Sequence, residues 1–119
     1  MEAARIPEQL QIDAALTGHL RNLVRQFCND DWADLSSRWT ASFDDIVAEA
    51  KRRGLETFVP SRHVSEGFLL LKTKDSYSVV YTERGAHTDR KDFAELEPAF
   101  RHWLRESLQD YHLPLRGDD

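Results

Sequence analysis

A single cysteine, Cys28, leaves the chain unable to form an internal disulfide, and nothing in its cysteine usage points to an oxidising compartment. Long apolar runs are also missing. The longest is Phe68 to Leu71, far short of a membrane span, and the opening MEAARIPEQLQID is polar where an export signal would carry its apolar region. Basic charge is in short supply, with 16 Lys and Arg against 21 Asp and Glu and a formal net charge of −5. That balance opposes nonspecific binding to nucleic acid and suits a basic partner, although mild acidity also serves simply to keep a soluble protein dispersed. Glycine and proline are sparse, and no repeat, low-complexity tract or flexible linker divides the sequence. The expectation is one cytoplasmic domain over residues 1–119, with a loose tail at 115–119.

Chemical signatures are absent too. The five histidines, at 19, 63, 87, 102 and 112, show no HExxH and no cysteine pair to join them, so no metal or cofactor is expected. No Gly-rich phosphate loop, GxSxG elbow or dinucleotide fingerprint occurs. Asp30 and Asp31 lie beside Cys28 in sequence and would raise its thiol pKa, which argues for a packing residue over a nucleophile. Nothing here reads as an enzyme.

What is present is a strong folding pattern centred on Gly67 to Gly85, GFLLLKTKDSYSVVYTERG. Two apolar runs flank the polar step Lys74-Asp75-Ser76, the pattern of a β-hairpin. With Lys74-Asp75 as the tip, Leu70 faces Val79 and Phe68 faces Tyr81, while Leu69, Leu71 and Val80 occupy the other face. A three-residue tip with a bulge would shift this pairing by one. Both faces are apolar, so helices or a partner must cover part of the second. His87 to Phe93 reads as a further strand, and Leu55 to Val59 as a short one limited by Pro60.

Helical spacing dominates elsewhere. Leu10, Ala14, Leu16, Leu20, Leu23, Val24 and Phe27 predict one amphipathic helix over 7–28, weakened or kinked at Gly18. Trp32, Leu35 and Trp39 predict a short second helix with both tryptophans on one face. Phe43, Ile46, Val47 and Ala50 predict a third, opened by a Ser42/Asp45 capping box, closed by Gly54, with Lys51, Arg52 and Arg53 in its last turn. Leu96, Phe100, Trp103, Leu104, Leu108 and Tyr111 predict a C-terminal helix with Pro98 in its first positions. The fold class is therefore α+β: three N-terminal helices, an antiparallel sheet of three or four strands, and a C-terminal helix packed on that sheet.

Asp30, Asp31, Asp34, Asp44, Asp45 and Glu49 concentrate acid before the hairpin. One reading makes them a solvated, helix-capping surface. The other makes Asp30, Asp31, Asp34, Asp44 and Asp45 a docking patch for a basic protein, anchored by Trp32 and Trp39, since acidic charge speeds encounter and Trp is enriched in interface hot spots. Exposure of the tryptophans decides between them.

Tyr77-Ser78-Val79-Val80-Tyr81-Thr82-Glu83-Arg84-Gly85, followed by Phe93, Glu97, Ala99 and Trp103, resembles a pattern in small bacterial immunity proteins of polymorphic and contact-dependent toxin systems. There, a strand ending in an aromatic–x–Glu-Arg-Gly turn precedes a helix. The resemblance covers about a quarter of the chain. It implies a nonenzymatic antitoxin that binds and neutralises a cognate toxin, by plugging its active site or blocking its substrate surface, with Glu83 and Arg84 as a second contact. As plain chemistry, Glu83 and Arg84 can also pair across strands around a positive-φ turn at Gly85. Two other readings are a ligand-binding or enzymatic domain with a pocket lined by His63, His87, Tyr77 and Tyr81, and an adaptor subunit with an obligate protein partner.

Overall fold

Positive-φ residues and capping side chains, more than apolar spacing, set where the helices stop. A computed structural model describes residues 5–61 and 66–116. Its element order is α1 (Glu8–Thr17), α2 (Leu20–Phe27), α3 (Trp32–Arg38), α4 (Phe43–Arg53), a 3-10 turn (Leu55–Phe58), β1 (Glu66–Lys72), β2 (Tyr77–Glu83), β3 (Ala86–Phe93), α5 (Leu96–Leu108) and a second 3-10 turn (Gln109–Tyr111). The architecture is α+β, with a three-stranded antiparallel sheet in the order β1-β2-β3 and the C-terminal helix packed on it. No helix among the described residues is long and apolar enough to cross a membrane. Two compact units emerge, Met1–Ala50 with Leu108–Asp119, and Lys51–Ser107.

In the first unit the expected single helix over 7–28 is two helices. Gly18 adopts φ 80°, and both its own N–H and that of His19 close on the Ala14 carbonyl, at 2.9 and 3.0 Å. A left-handed glycine ends a helix where a right-handed one would only weaken it. The inward face of α1 also differs from the expected stripe. Leu10 is 41% exposed, whereas Gln11 is fully buried with Ile12, Ala14, Ala15 and Leu16. The Gln11 amide is saturated. Its Nε2 donates to the Ile6 carbonyl at 2.9 Å and to Thr40 Oγ1 at 3.1 Å. Its Oε1 accepts from the N–H groups of Thr40 and Ala41, at 2.8 and 3.0 Å. One side chain thus ties α1 to the α3–α4 connection.

The exit from α2 runs through Asn29 and Asp30, both left-handed at φ 52° and 64°, residue types that tolerate that region best after glycine. Asp31 then caps α3 by accepting from the N–H groups of Ala33 and Asp34, at 3.0 and 3.4 Å. Arg38 closes the corner: its Nη1 donates to the Phe27 carbonyl at 2.6 Å and meets Asp34 Oδ2 at 3.2 Å. The Ser42/Asp45 capping box forms in both directions, with Asp45 N–H on Ser42 Oγ at 3.0 Å and Ser42 N–H on Asp45 Oδ2 at 3.2 Å. Phe43, Ile46, Val47 and Ala50 are all buried. The tail is held through residue 116, contrary to the loose tail expected from 115: the Arg116 carbonyl accepts from Phe43 N–H at 2.7 Å, and its guanidinium donates to the Thr40 carbonyl at 3.1 Å. Residues 117–119 lie outside the described segments.

In the second unit the hairpin has the two-residue tip. Thr73 N–H reaches the Ser76 carbonyl at 2.9 Å, and Leu70 pairs with Val79 and Phe68 with Tyr81. On that face the α5 residue Trp103 donates its indole N–H to the Phe68 carbonyl at 3.1 Å, and His102 packs on Phe93 at 5.5 Å. Leu69 and Val80 on the opposite face are buried as well. The segment read as a strand at Leu55–Val59 is a 3-10 turn over Leu55–Phe58, because Gly54 at φ 96° offers its carbonyl to both the N–H and the hydroxyl of Thr57, at 3.0 and 2.7 Å. Local bonding at Gly54 overrides the extended preference of Thr, Phe and Val.

Candidate functional site

Trp32 opens α3, so its side chain stands at the helix start beside the Asp31 cap. It is 36% exposed, and its ring stacks on Tyr111 of the second 3-10 turn with centroids 5.2 Å apart and planes 29° from parallel. The Ser36 hydroxyl donates to the His112 carbonyl at 2.8 Å, fixing the turn against α3. Between them lies an open, mostly apolar hollow of about 390 Å³, lined by Trp32, Ala33, Ser36, Asp110, Tyr111 and His112. Leu108 to His112 folds back here because His112 takes φ 54° and its N–H closes on the Gln109 carbonyl at 3.2 Å.

Trp39 is not part of this surface. It is 5% exposed and donates its indole N–H to the Ala41 carbonyl at 2.7 Å. The shared face expected for Trp32 and Trp39 presumes a helix that reaches residue 39. Instead α3 ends at Arg38, and Trp39 leaves in extended backbone at φ −72°, ψ 131°, which turns its ring into the core. Trp39 is therefore withdrawn as a contact anchor.

The acidic residues divide by job. Asp31 is the α3 cap, Asp34 is engaged by Arg38, and Asp45 belongs to the α4 capping box. Asp44 lies beside it in the first turn of α4, where negative charge meets the positive helix end. Asp30 is exposed, 4.0 Å from Arg25. All five carry local structural roles, yet Asp30 and Asp31 remain exposed beside Trp32. Asp110 carries no signal of its own in the sequence. It sits among the C-terminal residues read as helix, and only the turn at 109–112 brings it to α3.

Glu83 and Arg84 occupy the β2–β3 tip in the second unit. Arg84 at φ 52° and Gly85 at φ 83°, between the paired Glu83 and Ala86, have the pattern of a type I′ turn, whose twist matches the strands. The two side chains do not pair with each other across strands: Glu83 lies opposite Glu66, and Arg84 is in the turn. The other residues of the resemblance have packing roles. Ala99 is fully buried, and Glu97 meets Lys51 at 3.1 Å and Arg101 at 3.2 Å, which holds its carboxyl below the usual range.

The residues offered for a ligand pocket do not converge. His87 pairs with Thr82 and so points to the face opposite Tyr77 and Tyr81, and the Tyr81 hydroxyl is donated to Glu66 at 3.0 Å. His63 lies outside the described residues. Cys28 is buried, and burial, then the Asp34 carboxylate, pushes its thiol pKa up against a smaller opposing effect of Arg38. Asp34 fills the role assigned to Asp30 and Asp31. Among the described residues no three of His, Cys, Asp or Glu gather as a metal site. Comparison with models of known protein families, with curated proteins and with solved structures finds no match to this chain.

Proposed function

We propose that the chain is a nonenzymatic binding protein of the immunity type, which neutralises a bacterial toxin by holding a basic surface of it against the α3 start. The observation that carries this reading is the exposed Trp32 stacked on Tyr111 beside Asp30, Asp31 and Asp110. A rigid aromatic pair loses little conformational freedom on binding and supplies a large desolvated contact. The surrounding carboxylates add steering toward a cationic partner, as does the net charge of −5. The resemblance around Glu83-Arg84-Gly85 supplies the toxin-neutralising class, and the acidic surface supplies the contact. Glu83 and Arg84, exposed at the hairpin tip, are a second contact in this reading.

The neighbouring gene provides the test. An immunity gene follows a large toxin gene with a variable C-terminal end, and co-expression of this chain with that end is expected to restore growth that the toxin domain alone abolishes. A neighbour belonging to a metabolic operon, or no protection on co-expression, overturns the proposal.

A further inference from the structure

We infer that the hollow between α3 and the 109–112 turn receives an arginine side chain of the partner. This rests on the reading of the α3 start as a partner-binding face. The lining is aromatic and small apolar surface from Trp32, Tyr111 and Ala33, with Asp110 as its single carboxylate and no Lys or Arg. Asp110 is exposed at the hollow, and the one hydroxyl of α3 in the lining, that of Ser36, is already donated to the His112 carbonyl. Trp39 and Trp103 donate their indole N–H groups to backbone carbonyls, whereas Trp32 lays its ring on Tyr111 at the edge of the hollow.

An apolar occupant would fit the ring surfaces but would strip water from Asp110 without replacing its hydrogen bonds. An anionic occupant would meet the carboxylate head-on. A guanidinium satisfies both: its plane lies against an aromatic face, its two parallel N–H groups match a carboxylate, and its aliphatic stem covers Ala33 and the rings. An ammonium keeps the charge but loses the stacking and the paired donors.

The test titrates the full-length chain with N-acetyl-arginine amide, N-acetyl-lysine amide and the neutral isostere N-acetyl-citrulline amide, following the three tryptophan indole N–H resonances by NMR. Arginine amide is expected to shift the Trp32 resonance saturably, leave Trp39 and Trp103 in place, and bind about fivefold more tightly than citrulline amide. Asp110→Asn should weaken arginine amide by a similar factor with the melting temperature unchanged. Equal binding of citrulline or lysine amide, shifts confined to Trp39 or Trp103, no shift, or full affinity in Asp110→Asn overturns the inference. No toxin enters this titration, so arginine binding without growth protection removes the immunity reading alone, and protection without arginine binding removes this site alone.

Discussion

Replacing Gln11 with leucine is expected to destabilise the fold by about 3 kcal/mol, while replacing its exposed neighbour Leu10 with glutamine should change stability by less than about 0.5 kcal/mol. Helical patterning by hydrophobicity alone predicts the reverse. The Gln11 side chain is fully buried and makes four hydrogen bonds, to Ile6, Thr40 and Ala41. Leucine fills a similar volume but leaves two backbone N–H groups and the Ile6 carbonyl unpaired, and a buried group stripped of its partner costs roughly 1–3 kcal/mol. Thr40 is exposed enough for water to recover part of that loss, which keeps the sum near the lower end. Equilibrium denaturant unfolding measures both variants. A Gln11→Leu midpoint equal to that of the parent would show that the amide is dispensable to the corner it holds.

The two tryptophans of the α3 region should separate in the same assay. Trp39→Ala is expected to cost about 3–5 kcal/mol, because it empties a buried site and removes the donor to the Ala41 carbonyl. Trp32→Ala forfeits mainly the stack on Tyr111, about 1 kcal/mol. Thermal or denaturant unfolding with comparable losses for both would mean that Trp32 is as much a core residue as Trp39. The contrast also guides any dissection of the acidic surface. Asp31 caps α3 and Asp34 engages Arg38, so charge reversal at either disturbs the corner, by about 1 kcal/mol for the cap alone. Asp30, exposed and 4.0 Å from Arg25, and Asp110, on the rim of the hollow, are the cleaner positions for probing a partner.

The sheet was legible because its signal is dense. Two apolar runs around a polar tip admit few registers, and Leu70 opposite Val79 follows once the tip is Lys74-Asp75. The Ser42/Asp45 box and the Gly54 stop were readable for the same reason, since each needs only neighbouring residues. Features set by a single backbone torsion were harder. Gly18 could have kinked a helix or ended it, and Asp89 at φ 50°, near the register shift between Val79 and Tyr81, gave no sign in the sequence of a bulge in β3. Gln11 could have been found only by noticing that it shares a face with Ala14 and Ala15, small residues that let a polar amide approach backbone. The candidate site was half legible. Trp32 and its acidic neighbours are adjacent in sequence, whereas Asp110 and Tyr111 reach them only through a turn that depends on His112 in the left-handed region.

We propose the Trp32–Tyr111 face as the place where a basic partner binds. Isothermal titration of the neighbouring gene's toxin domain into the parent chain and into Trp32→Ala tests it most directly. A loss of about 30-fold or more in affinity, the scale of an interface hot spot, is expected for a variant whose fold is nearly as stable as the parent's. Undiminished affinity in Trp32→Ala would place the contact elsewhere on the molecule and remove this face as the binding surface.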